Sequence, residues 1–170
     1  MAVKTATVTL DGGDIRFVAR TGSGHTLVLD DGKGDTGPRP AELIPVAIAG
    51  CTAMDVISIL RKKRQEITGY EVRSEGHQME GHPNAFTRID VVHVVDGPAI
   101  DVDAVRRAIE LSATKYCSVG ATLSSGITEV RHAYLVRDGV GGEQAGEVIV
   151  LGPGADPAAT AAPAAPVAVG

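Results

Sequence analysis

The sequence predicts a mixed helix-and-strand chain, and three observations predict it. Residues 41–64 form one apolar run of helical length. Residues 4–10, 70–79, 86–95 and 127–136 carry alternating or β-branched strand patterns. Clusters of Gly, Asp, Asn and Pro punctuate the chain between those runs. At 170 residues and 44% hydrophobic content, the chain can bury a core without disulfide or metal staples.

The elements follow in order. Residues 4–10 alternate Thr with apolar side chains, and Asp11-Gly12-Gly13-Asp14 is a turn before residues 15–19, which together read as a hairpin. Residues 25–30 make a third strand, followed by a Gly-rich loop over 31–40. The helix over 41–64 has Pro40 at its entrance and Arg61-Lys62-Lys63-Arg64 at its exit, where cations complement the helix dipole. Leu43, Ile44, Val46, Ile48, Met54, Val56, Ile57, Ile59 and Leu60 occupy all of its faces, so the expectation is a helix buried all round. Asp55, Pro45, Thr52 and Ser58 argue against its spanning a membrane. Residues 70–79 and 86–95 form a second hairpin around residues 80–84. A second helix covers 103–116, with Val105, Ala108, Ile109 and Ser112 on one face, and the last strand covers 127–136.

Composition narrows the function. Sixteen Lys and Arg against 21 Asp and Glu give a net charge of −5, which excludes nucleic acid as the expected partner. The 3% aromatic content and absence of Trp exclude base-stacking platforms. Two Cys do not make a disulfide scaffold, and residues 1–10 carry no apolar signal core, so a cytoplasmic chain is expected. Gly, Pro and Ala fill 20 of the 32 positions from 139 to 170, with no Lys or Arg. The expected organisation is therefore one domain over 1–138 and a flexible tail over 139–170, with residues 147–151 a candidate strand inside it.

Cys51 and Cys117 carry the chemistry. Separated by 66 residues, they form neither a CxxC redox site nor a zinc ribbon. Each stands in or beside a helix, and two thiols on two core helices can serve as attacking and resolving partners. His25, His77, His82, His93 and His132 are scattered without HExxH spacing, so they read as strand-surface or core groups and no metal site is expected. Asp90 and Asp96 read as solvent-facing. The glycines of Thr21-Gly22-Ser23-Gly24-His25 lack the Lys and following helix of a phosphate loop.

The string Gly37-Pro38-Arg39-Pro40-Ala41-Glu42-Leu43-Ile44, leading to Ala49-Gly50-Cys51-Thr52-Ala53-Met54-Asp55-Val56, resembles the OsmC/Ohr family of osmotically induced and organic-hydroperoxide-resistance proteins. Lys115-Tyr116-Cys117-Ser118-Val119 is similar to that family's second cysteine motif. The resemblance covers residues 4–137. It implies an α+β fold: an intertwined homodimer whose curved antiparallel sheets wrap two central buried helices. It also implies a thiol peroxidase in oxidative-stress defence, in which Cys51 attacks an organic hydroperoxide and Cys117 resolves the sulfenic acid. A lipoyl-type dithiol then restores both thiols, and no cofactor or metal is required. The family further places an Arg and a Glu about the reactive thiol, which makes Glu42 with either Arg39 or Arg20 the candidates. Glu42 stands nine residues before Cys51 where the family's Glu stands ten before, a shift that turns a helical side chain by about 100°.

Two other readings remain open at this stage. One is a non-enzymatic OsmC-like protein with structural thiols or a small ligand bound in a dimer cleft. The other is a Cys–His hydrolase or transferase built on Cys51 and one of the histidines.

Overall fold

The computed structural model describes residues 2–12 and 14–153. Gly13 of the expected turn and positions 154–170 of the expected tail lie outside the described residues. The chain divides into two compact units, Met1–Ile44 and Pro45–Gly170, where the sequence suggests one domain over 1–138.

The first unit is an antiparallel meander of β1 (Ala6–Leu10), β2 (Phe17–Thr21) and β3 (Thr26–Leu29), in that order. Its register pairs Leu10 with Phe17 across the turn and Ala19 with Leu27 in the second ladder. In the loop that follows, the Asp30 carboxylate accepts from the Thr36 N–H (3.1 Å) and hydroxyl (2.5 Å), folding the glycine-rich stretch back on itself. A 3-10 turn over Pro40–Glu42 leads into the first helix.

The second unit packs helices on a four-stranded sheet. Its elements are α1 (Leu43–Lys62, with its first two residues in the first unit), β4 (Gly69–Gln78), β5 (Phe86–Asp96), α2 (Val102–Leu111), α3 (Ser118–Ser124), β6 (Glu129–Arg137) and β7 (Glu143–Leu151). The strand order is β4-β5-β6-β7. Pairing is antiparallel at both ends, whereas β5 and β6 run parallel because α2 and α3 form the crossover between them.

Alternation drives the core. Along β6 every second residue, Val130, His132, Tyr134 and Val136, is buried. The stripe Ala104, Val105, Ala108 and Ile109 of α2 packs with Val56 and Leu60 of α1 and with Val95, Tyr134, Val136 and Val148 of the sheet. Asp101 caps α2, its side chain accepting the Asp103 N–H at 3.0 Å.

Three expectations are corrected. The helix over 103–116 stops at Leu111 and continues as a π turn over Ser112–Tyr116. The ordered chain also runs past Asp138. Glu143–Leu151 forms β7, an edge strand on β6, because its Ala- and Gly-rich start still leads into Val148, Ile149, Val150 and Leu151. Finally, α1 is not buried all round: Ile48, Thr52, Val56 and Leu60, spaced by four, are buried, while Val46 (64%) and Met54 (75%) are exposed. The Pro40–Lys62 segment has the length and mean hydropathy (2.0) to cross a bilayer, but one stripe of α1 sits in the core described above.

Candidate functional site

Cys51 projects from the middle of α1, one turn before Asp55 on the same face of the helix. Cys117 stands where the π turn ends and α3 begins. Its N–H donates to the Ser112 carbonyl at 2.9 Å, the i to i−5 bond that defines the turn, and its own carbonyl accepts the Ala121 N–H at 3.0 Å. The sulfur caps α3 by accepting the Gly120 N–H at 3.2 Å. Without the extra residue of the π turn, Cys117 would continue the α2 spiral and point elsewhere.

A chain of hydroxyls ties this turn to α1. Ser112 Oγ donates to Asp55 Oδ2 at 3.0 Å, and Thr52 Oγ1 lies 2.9 Å from the same Ser112 oxygen. A hydroxyl has one hydrogen, so Thr52 is the donor to Ser112 and Ser112 the donor to Asp55. Thr52 and Ser112 are fully buried, which makes each of these bonds costly to break. The result holds Asp55, Cys51 and Cys117 in one neighbourhood although the cysteines are 66 positions apart.

Both thiols are free; Cys117 is buried and Cys51 half-buried. Burial is the largest effect on Cys117 and pushes its thiol pKa up, followed by the neighbouring Cys51 thiol. The Gly120 N–H opposes the shift, and the Asp55 charge adds to it. The sum favours the thiol over the thiolate at Cys117.

The other expected site residues lie in the first unit. Glu42 does find an arginine, and it is Arg39: the Arg39 N–H donates to Glu42 Oε2 at 2.8 Å and Arg39 Nη1 to Oε1 at 3.1 Å. The backbone bond from Arg39 is the main reason that the Glu42 carboxyl titrates below its ordinary range. Arg20 is exposed on β2, opposite Thr7 and Thr26, and does not share in that pair.

The histidines separate into surface and core. His77 bonds Asp90 Oδ2 at 3.0 Å, and Arg88 clasps the same carboxylate, so Asp90 is paired and half-buried where the sequence suggests a solvent-facing side chain. Asp96 is likewise held by Arg137 at 2.6 Å. His93 and His132 are fully buried and stacked, with ring centroids 5.8 Å apart. The Tyr70 hydroxyl and His93 Nδ1 share a 2.8 Å hydrogen bond. His93 Nε2 and both ring nitrogens of His132 have no partner among the described residues. Burial lowers His93 to about 3, with a smaller contribution from His132, and lowers His132 to about 4. Imidazoles so weakly basic are poor bases for a Cys–His mechanism at neutral pH. Among the described residues, no three His, Cys, Asp or Glu side chains converge as a metal site.

Sequence reading found both thiols but missed Thr52, Asp55 and Ser112 as partners. The available signal is the carboxylate of Asp55, placed one helical turn after Cys51 in a largely apolar helix.

The sequence matches the family model for OsmC-like protein over residues 32–130. It is 38% identical over 122 residues to Protein YhfA of Escherichia coli K12, covering 72% of this chain and 90% of that protein. Among solved structures, a hypothetical protein from Aquifex aeolicus VF5 superposes with a TM-score of 0.71 at 30% identity, covering 80% of this chain and 97% of that one. An organic hydroperoxide resistance protein OsmC from Legionella pneumophila shares the fold, with a TM-score of 0.58 at 11% identity over 81% of this chain and 97% of its own. The α+β architecture and these matches agree: the chain belongs to the OsmC-like protein family.

Proposed function

We propose that the chain is a thiol peroxidase that reduces organic hydroperoxides through Cys51 and Cys117, as part of oxidative-stress defence in the cytoplasm. The observation that carries the reading is that two free cysteines, far apart in sequence, become neighbouring thiols with unequal exposure. Cys51, the more accessible, attacks the peroxide and becomes sulfenic acid. Cys117, held beside it by the π turn, displaces the hydroxyl and closes a disulfide. A lipoyl-type dithiol then reduces that disulfide. Arg39, oriented by Glu42, is the proposed cation for the peroxidatic thiol and Arg20 the reserve candidate, since a guanidinium with fixed donors both favours thiolate and polarises a peroxide.

A homodimer accompanies this reading. Val46 and Met54 leave an apolar face of α1 exposed, and a second copy of the chain is the partner proposed to cover it.

Consumption of cumene hydroperoxide in the presence of dihydrolipoamide tests the activity. Wild type turns over, and Cys51→Ser loses at least about 100-fold, because a serine hydroxyl is a far weaker nucleophile near neutral pH. Equal rates for the two proteins contradict the proposal. A second reading, an OsmC-like protein with structural thiols, is favoured by the burial of Cys117 and predicts no turnover in either protein.

A further inference from the structure

Resolution of a sulfenic acid poses a proton problem at Cys117. The buried thiol must give up a proton as its sulfur attacks, and the hydroxide displaced from Cys51 must gain one. Asp55 is the carboxylate bonded to the turn that carries Cys117. It lies one turn from Cys51 on α1, and its Oδ2 is fixed by Ser112, the residue whose carbonyl also anchors the Cys117 N–H. Its bonded partner is Ser112 from the turn, with Thr52 of its own helix behind that hydroxyl, and its charge acts on Cys117 from the turn and on the half-buried Tyr70 hydroxyl from β4. Among the described residues no Lys or Arg pairs with Asp55. A carboxylate without a cation, steadied by one hydroxyl, keeps a second oxygen for proton exchange.

Resting on the peroxidase reading above, we infer that Asp55 is the proton-transfer residue of the resolving step, taking the Cys117 proton and returning it to the leaving hydroxide. The atoms balance. The Cys117 sulfur bonds the Cys51 sulfur as the S–O bond of the sulfenic acid breaks. The Cys117 proton passes through the carboxylate to that hydroxide and leaves as water. The oxidant is the organic hydroperoxide, already reduced to its alcohol when the sulfenic acid formed, and no further electron donor enters. Ser112 is a positioning residue, since it acts only through the carboxylate. Asp55 thus gives the site a second carboxylate role, separate from that of Glu42.

The test pairs two routes to the same disulfide. In the first, wild type and Asp55→Asn are mixed with one equivalent of cumene hydroperoxide, quenched over time and weighed by intact mass. In the second, each protein reacts with 5,5′-dithiobis(2-nitrobenzoate), and the second release of thionitrobenzoate reports Cys117 displacing a leaving group that needs no proton. Asp55→Asn should convert sulfenic acid to disulfide about tenfold or more slowly, with oxygenated Cys51 accumulating. Its second thionitrobenzoate release should slow less than the peroxide route, because that leaving group needs no proton and only the removal of the Cys117 proton is impaired. Ser112→Ala, which keeps the charge, should slow the peroxide route less and leave the thionitrobenzoate route within about twofold. Equal slowing of both routes would mean a distorted site and overturn the inference, as would no change in either. If wild-type Cys51 is not oxidised by the hydroperoxide, the peroxidase reading fails. The Asp55–Cys117 coupling is then decided by the thionitrobenzoate route, where an unchanged second release overturns it.

Discussion

Cys117 is 2% exposed and Cys51 only half-buried, and that difference orders their reactions with any reagent in water. Burial, the Cys51 thiol and the Asp55 charge all hold Cys117 in its protonated form, so its alkylation requires more alkaline conditions than an ordinary thiol. Iodoacetamide at pH 7.5 followed by peptide mapping should therefore label Cys51 well before Cys117. Labelling of Cys117 first contradicts the burial and the sign of its shift. Both cysteines were legible in the sequence because each stands in a motif with helix-forming neighbours. Their connection through Thr52, Ser112 and Asp55 was not. Ser112 is 57 positions from Asp55, and it reaches the carboxylate only because the helix around it ends at Leu111 and widens into a π turn.

At the scale of elements, the sheet carries an acid-sensitive layer. His93 on β5 and His132 on β6 are held neutral in the fold at about 3 and 4, below the ordinary 6.5 that the unfolded chain regains. The unfolded state therefore binds more protons below about pH 6.5. Stability is full above that value and falls as the pH drops toward 4, by about 1.4 kcal/mol per pH unit for each histidine inside its window. Thermal unfolding from pH 7 to 4.5 should show this loss. His132→Leu should about halve it, leaving the His93 share, since both His132 nitrogens lack partners and nothing is left unpaired by their removal. A variant with the wild-type slope would contradict the neutral-histidine account. Strand alternation in residues 86–95 and 127–136 made these strands readable, but the sequence did not show that β5 and β6 are parallel neighbours, which alone brings the two imidazoles together. β7 was partly hidden for a compositional reason: Gly142, Ala145 and Gly146 break the apolar alternation ahead of Val148. Truncation after Asp138 removes that strand and the buried Val148, and leaves β6 an open edge. The truncated protein should lose more than about 5 °C in thermal midpoint, a shift on the order of 1 kcal/mol. An unchanged midpoint would mean that β7 contributes little.

For the whole molecule, the apolar surface of α1 is the feature that a single chain leaves unfinished. Apolar residues on every face were visible in the sequence, but only one stripe of them is covered within the chain. In the proposed homodimer the remaining face is buried against a second copy. Size-exclusion chromatography with light scattering should give twice the 17.5 kDa chain mass at micromolar concentration. Met54→Glu, which puts a charge on a residue 75% exposed in the single chain, should shift the population to monomer without unfolding it. A wild-type monomer that keeps its thermal midpoint on dilution contradicts the dimer. The central claim concerns the two sulfurs, and one measurement tests it most directly: the intact mass of wild-type and Cys117→Ser protein after one equivalent of cumene hydroperoxide. The account predicts loss of two hydrogens in the wild type, an internal Cys51–Cys117 disulfide, and gain of oxygen on Cys51 in Cys117→Ser. Cys51 remaining a free thiol in both proteins under excess hydroperoxide would contradict it.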